Sequence, residues 1–163
     1  MNFKHLLSKV KFSAVNTTVD TDYTFNIKNV TITNAAAKGT YYAQAEQGKQ
    51  VGTWDVTNTL TTTFGNIDAV VKSNDKFECA SEKLLIPVDF TSTKLHITYT
   101  LEWCYGGSVI TSTPKTADVA VKLQAGYAYN FKVQTGINEE IKFSVEANPS
   151  WTNTTPGGDI TIQ

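Results

Sequence analysis

The chain has 163 residues, no arginine, and a net charge of −1 from 14 lysines and 15 acidic residues. This length suits one domain with a core of its own, so we expect a single domain over residues 1–163. The weak net charge argues against nucleic acid as a partner, and the absence of arginine removes the side chain best suited to bidentate phosphate recognition.

The composition predicts a sheet protein. Thr, Val, Ile, Tyr and Phe are frequent, and these β-branched and aromatic side chains pack well on a pleated surface. The single Met and the few Leu residues leave little material for an amphipathic helix. No stretch approaches the roughly 20 apolar residues of a membrane helix, so we expect no membrane span in this chain.

The first two strands are predicted from the alternation of apolar and polar side chains, the period of a strand with one buried face. The first covers residues 9–14. The second covers residues 23–32, and its alternation changes phase by one position after Lys28. The change predicts either a bulge in one long strand or two strands split near Asn29.

The middle of the chain has weaker patterns. An alanine-rich stretch closes at Gly39, Tyr41 and Tyr42 form a short β-like segment, and residues 47–53 read as a polar loop. Residues 54–77 have the weakest period, so they are predicted to be rich in loops, with room for one strand.

The clearest strand covers residues 94–104, where five apolar side chains alternate with polar ones. It is predicted to lie centrally in a half-buried sheet. Just upstream, residues 83–86 form a compact apolar strand that ends at Pro87, because proline cannot donate to a ladder.

The last third of the chain predicts successive hairpins, starting with a tight turn at Gly106 and Gly107. Four strands are predicted after this turn, over residues 109–112, 119–123, 127–133 and 141–145. A polar connector then leads to a last short strand over residues 159–163. Strands joined by short turns form an antiparallel meander or a Greek key, so we expect an all-β, antiparallel β-sandwich of about seven or more strands.

No catalytic constellation is present in the sequence, and we expect no enzymatic activity. His96 lies on the polar face of its strand and His5 lies in the first few residues, so neither is placed to activate a nucleophile. Glu139 and Glu140 are neighbours in a turn before a strand, and they do not face one cleft as the carboxylates of a glycosidase do.

Metal and cofactor sites are not expected. Asp20 and Asp22 could take part in a calcium site, but the twelve-residue calcium loop is absent, and a turn with side-chain caps is the favoured interpretation. Cys79 and Cys104 do not have the spacing of a zinc site with the two histidines. A Cys79–Cys104 disulfide and free, buried thiols are both open alternatives.

Aromatic side chains away from the core faces offer a second function. Trp54 and Trp151 are candidates for stacking against sugar rings, which would make the chain a carbohydrate-binding β-sandwich module of a secreted or surface glycan-utilisation protein. Aromatic residues of β domains more often pack in the core or at strand ends.

Four segments occur in a characteristic order along the chain. They are residues 3–12 (FKHLLSKVKF), residues 84–87 (LLIP), residues 123–131 (LQAGYAYNF), and residues 141–145 (IKFSV) followed by Trp151. In this order they resemble the fimbrillin-like family, the type V pilins and related surface lipoproteins of Bacteroidales.

The resemblance implies a transthyretin-like β-sandwich in a fimbrium at the cell surface or outer membrane. It implies other pilus subunits, a host or cell-surface protein, or a glycan as partners. In the family the matching stretch is the C-terminal domain of a longer precursor, whose upstream part carries the export signal and the lipid anchor. We therefore expect a leader or a domain before Met1.

The resemblance also implies assembly by β-strand addition. Polymerising members lose an N-terminal strand to an arginine-specific protease, and a strand of the next subunit fills the groove that opens. This sequence contains no arginine, so either such a site lies upstream of Met1 or this member does not polymerise in that way. Its last strand, with Ile160 and Ile162, is the candidate donor to a neighbour's sheet edge, or alternatively closes its own domain.

Overall fold

The computed structural model describes residues 5–44, 46–48, 51–71, 76–78 and 81–149, and their side chains except at 67–71 and 76–78. In this part of the chain all regular structure is β, which confirms the fold class, and no helix is long and apolar enough to cross a membrane. The strands are β1 Ser8–Asn16, β2 Tyr23–Tyr42, β3 Thr53–Val71, β4 Lys76–Glu78, β5 Lys83–Leu85, β6 Leu95–Tyr105, β7 Ser108–Val119, β8 Ala128–Thr135 and β9 Lys142–Asn148.

The strands form two sheets. In the first sheet, β1 lies between β8 on one side and the short strands β4 and β5 on the other, and β9 lies beyond β8. The second sheet has the order β3, β2, β6, β7, and every neighbouring pair in it is antiparallel. The two sheets pack face to face around one core, which makes the fold a β-sandwich.

One strand pair departs from the predicted antiparallel arrangement. β1 and β8 run parallel, from Lys9 opposite Ala128 to Asn16 opposite Thr135. A parallel pair needs a long crossover connection, and here the strands of the second sheet lie within that connection. Side chains alternate in the same way in both kinds of pair, so the alternation could not reveal the strand direction.

β2 is one long strand with a bulge, which is the first of the two predicted alternatives. Its register against β6 shifts between Lys28 and Thr31, and Asn29 has a positive φ of 54°. The alanine-rich stretch suggested an end at Gly39, but the strand continues to Tyr42. Glycine is needed there because a Cβ would lie only 2.6 Å from the carbonyl oxygen of Asp55 on β3.

The prediction of a loop-rich region over residues 54–77 is wrong. Most of this region is the 19-residue strand β3, which pairs with β2 along its length. The register between the two strands shifts in six places, and a shift by one residue changes the phase of the side-chain alternation. The backbone pairing therefore continues although the alternation in the sequence is broken into short pieces.

The β6–β7 hairpin forms as predicted. Its turn residues Gly106 and Gly107 have φ values of 54° and 84°, a region that favours glycine. β7 is longer than the predicted return strand of residues 109–112, because it stays paired with β6 as far as Val119.

The predicted strand at residues 119–123 and the meander built on it are wrong. After β7 the chain crosses to the first sheet, where β8 pairs with β1 and β9. Val121 and Leu123 are buried in this crossing. Phe90 N–H donates to the carbonyl of Val121 (2.8 Å), and Leu123 N–H donates to the carbonyl of Val88 (3.0 Å). The apolar alternation at residues 119–123 therefore arises from side chains that are buried against the core, and not from a strand.

β6 confirms the clearest predicted strand and lies between β2 and β7. Its inward side chains are all buried: Leu95, Ile97, Tyr99, Leu101 and Trp103. Trp103 packs edge to face on Phe25 of β2, with 5.2 Å between ring centroids. Phe64 of β3 packs in the same way on Phe12 of β1 at 4.7 Å, so aromatic contacts join the two sheets.

Replacing Trp103 with Ala tests the position of the core. The ring is only 8% exposed, so Trp103→Ala should lower the free energy of unfolding by about 3–5 kcal/mol in urea titrations followed by circular dichroism. Trp54→Ala, which removes a half-buried ring, is the matched control and should cost less. A loss below about 1 kcal/mol for Trp103→Ala would place the ring outside the core.

Tyr99 gives the fold a pH dependence at alkaline pH. Burial raises the pKa of the Tyr99 hydroxyl from 10.0 to about 12. The unfolded chain loses this proton first, so the stability contributed by the neutral hydroxyl is intact below pH 10 and falls between pH 10 and about 12. Urea titrations at several pH values should show a smaller loss for Tyr99→Phe. Equal losses in both proteins would contradict this assignment.

Candidate interaction surface

The two long sides of the sandwich differ, and one of them is closed. On the closed side β3 reaches the first sheet, where Phe64 packs on Phe12 of β1. Near the start of β3, the Nε1–H of Trp54 donates to the backbone carbonyl of Leu6, a residue that precedes β1 (3.2 Å). The outermost strand of the second sheet thus covers the core at this side.

The other long side is open. β7 and β9 are edge strands here, one from each sheet, and among the described strands none pairs with their outer sides. A groove of about 420 Å³ lies between β7 and the β8–β9 turn. It is lined by Leu101 and Trp103 of the core strand β6, by Thr113 and Lys115 of β7, and by residues of the turn, including Ile141.

β7 has the properties of a strand with one free side. It is 12 residues long and most of its side chains are exposed. Pro114 lies within it, and proline is tolerated in an edge strand because one side has no ladder. Opposite the buried Tyr99, Leu101 and Trp103 of β6, β7 carries the polar Lys115, Thr113 and Thr111. This edge was not predicted, although these polar residues at every second position are its signal in the sequence.

Apolar side chains reach the open side from both sheets. Ala117 and Val119 of β7 are half-buried against the core, and so are Phe143 and Val145 of β9. An extended segment along β7 would remove more of this area from water, at about 25 cal/mol for each Å² of apolar surface. The open side therefore offers unpaired backbone groups beside apolar area, which are the two features that a strand-addition site needs.

The residues predicted to bind sugars or to donate a strand are only partly described. Trp54 lies in β3, where its ring packs against Tyr41 with centroids 5.2 Å apart and its N–H is bound to the carbonyl of Leu6. Contacts within the protein therefore hold the indole. Trp151, Ile160 and Ile162 lie outside the described residues, so glycan stacking and strand donation stay predictions.

The candidate catalytic residues lie at the surface. His96 Nδ1 contacts the carboxylate of Asp118 across β6 and β7, and both side chains are about half exposed. In the described chain no hydroxyl or thiol is hydrogen-bonded to the His96 ring. Glu139 accepts a hydrogen bond from the Thr17 hydroxyl (2.7 Å), and Glu140 follows it in an exposed turn.

Asp20 and Asp22 form a turn, as the favoured interpretation predicted. Asp20 Oδ1 accepts the backbone N–H of Asp22 (3.0 Å), and the Asp22 carbonyl accepts the N–H of Gly106 (3.1 Å). Among the residues that the structure describes, no three His, Cys, Asp or Glu side chains are grouped so as to hold a metal ion. Cys104 is buried as a free thiol, and Cys79 lies outside the described residues.

Comparison with known proteins identifies the family. A fimbrillin-like family model matches residues 1–151. The chain belongs to the fimbrillin-like family. The match confirms the resemblance carried by the four sequence segments, although no curated protein matches this fimbrillin-like sequence.

Solved structures with a similar fold come from Parabacteroides and Bacteroides species. A Parabacteroides distasonis protein, named for a proposed role in cell adhesion, matches 88% of this chain with a TM-score of 0.56 and 11% identity. A fimbrial protein from Bacteroides vulgatus matches 90% of this chain with a TM-score of 0.44 and 13% identity. The fimbrillin-like chain spans 52% and 54% of their lengths, about half of each. At 11% identity the likeness to the Parabacteroides distasonis protein concerns the fold alone.

Proposed function

We propose that this fimbrillin-like chain is a structural or adhesive part of a cell-surface fimbrial subunit and has no catalytic activity. The family match over residues 1–151 supports the fimbrial role. The non-catalytic role is supported by the contacts of His96, Glu139 and Asp20, which engage each of these side chains in a surface pair or a turn. Its partners are then other pilus subunits, or a protein or glycan of a cell surface.

We also propose that the protein is exported and held at the outer membrane, in a fimbrium or as a lipid-anchored surface protein. In this proposal the chain is the C-terminal domain of a longer precursor. The order of the four resembling segments is the support for both statements.

The open side between β7 and β9 is the observation that carries a role in assembly. In strand addition, main-chain hydrogen bonds to a free edge supply affinity, and alternate side chains supply specificity by entering pockets. A strand that pairs with β7 would place every second side chain over Leu101 and Trp103 at the groove.

The C-terminal segment of a neighbouring copy is the proposed donor. Ile160 and Ile162 are two residues apart, so in a strand both side chains face the same way, as the groove requires. The same segment could instead complete its own domain. The two roles differ in what happens when the segment is removed.

Deleting residues 159–163 separates the two roles. The full chain should associate with increasing concentration in light scattering, and the shortened chain should remain monomeric with an unchanged circular dichroism spectrum and unfolding transition. Loss of folding would contradict donation, because the segment would then belong to its own core. Unchanged association of the shortened chain would contradict it too.

The acceptor side is tested in the same assay. Ile141→Asp places a carboxylate in the groove lining and should weaken association by about tenfold or more, because a buried, unpaired charge is costly. Leu60→Asp is the matched control, since Leu60 is an exposed apolar residue of β3 on the closed side. Equal effects of the two changes would exclude the open side as the acceptor.

A further inference from the structure

Three connections of the described chain meet at one end of the sandwich, which we call the distal pole. They are the β1–β2 loop (residues 17–22), the β6–β7 turn (residues 106–107) and the β8–β9 turn (residues 136–141). The described chain enters β1 and leaves β9 at the other end of the molecule, as the pairing of β1 with β8 and of β8 with β9 shows. The distal pole therefore points away from the places where the described chain starts and ends.

Hydrogen bonds join the three connections into one surface. The β1–β2 loop accepts the N–H of Gly106 at the carbonyl of Asp22 (3.1 Å) and the N–H of Ile137 at the hydroxyl of Thr18 (2.8 Å). The hydroxyl of Thr17 donates to the carboxylate of Glu139 on the third connection. Because the loops are already held together, a partner that binds here orders little additional chain.

Apolar side chains are exposed in the distal pole and on the ends of β6 and β7 that flank its turn. Val19 is 88% exposed, Val109 56%, Ile110 49% and Tyr105 47%. These are four of the eight large apolar residues that are exposed in the described chain. The ring of Tyr105 packs against that of Tyr23, with centroids 4.8 Å apart. Single exposed apolar residues are normal, whereas several of them at one end of a molecule are a feature of interaction sites.

The ionisable side chains in the three connections are all acidic. They are Asp20, Asp22, Glu139 and Glu140, and the connections contain no lysine. In the described part of the chain none of these four carboxylates takes part in a salt bridge. These carboxylates attract the lysine and arginine side chains of a partner.

We propose that the distal pole is a docking surface for a partner protein that presents an apolar patch bordered by lysine or arginine. The apolar contacts with Val19, Tyr105 and Ile110 supply affinity, and the carboxylates around them select a basic partner and orient it. Glu139 and Glu140 of the third connection also line the β7 groove, whereas Ile110 and Asp22 lie outside it. Changes at Ile110 and Asp22 therefore test docking at the pole separately from strand addition.

A library of random peptides displayed on phage is the probe for this surface. Selection against the full chain at low salt should enrich peptides that combine a net positive charge with aromatic or aliphatic residues. Ile110→Asp and Asp22→Lys should each weaken binding of the enriched peptides by about tenfold or more, and salt should weaken it as well. The second variant keeps the backbone carbonyl that accepts the N–H of Gly106.

Leu84→Asp is the matched control, because Leu84 is an exposed apolar residue of β5, far from the distal pole along the strands. It should leave peptide binding unchanged, and circular dichroism checks that all three variants are folded. Four results would overturn the proposal: no enrichment, enriched peptides without positive charge, equal binding to the pole variants and the control, or binding of the chain to vesicles of anionic lipid that either pole variant abolishes.

Discussion

The parallel pairing of β1 with β8 is the constraint on which the rest of the fold depends. It joins the first strand to one that lies more than a hundred residues later in the sequence, across a connection that contains the second sheet. Phe12 of β1 lies directly opposite Phe131 of β8, and their rings stack with centroids 5.4 Å apart in the core. Without this pair the first sheet would fall into two parts, β4 and β5 on β1, and β8 with β9.

The central position of β1 also makes the two sides of the sandwich unequal. β3 reaches β1 and covers the core on one side, so that β7 and β9 are left as edges on the other. A free edge is a risk of uncontrolled pairing in an isolated protein and a point of attachment in a polymer. Pro114 and Lys115 are the kind of residues that limit uncontrolled pairing at an edge, and in the proposed strand addition the adjoining groove would supply specificity. In the proposed strand addition, this asymmetry would give assembly a direction.

The alternation of apolar and polar side chains predicts which residues are buried, but it does not predict which strands are neighbours. Alternation predicted β1, β6, β8 and β9 because each turns one regular face to the core, and it failed in β3 because register shifts with β2 change the phase repeatedly. At residues 119–123 the alternation correctly predicted that Val121 and Leu123 are buried, but it wrongly predicted a strand there. The open side depends on strand order, which the pattern of one strand does not contain. The sequence placed Trp54 off the predicted core faces, but it could not show the pairing of Trp54 with Tyr41 or its hydrogen bond to Leu6.

Amide hydrogen exchange along Ser108–Val119, resolved by NMR, tests most directly whether β7 has one free side. In the isolated chain the amides that face β6 should be protected, and the alternate amides that face outward should exchange as fast as solvent-exposed backbone. In the assembled protein the outward amides should become protected. Protection of both sets in the isolated chain, or assembly that leaves exchange in β7 unchanged, would contradict the role of β7 as the free edge that receives a strand.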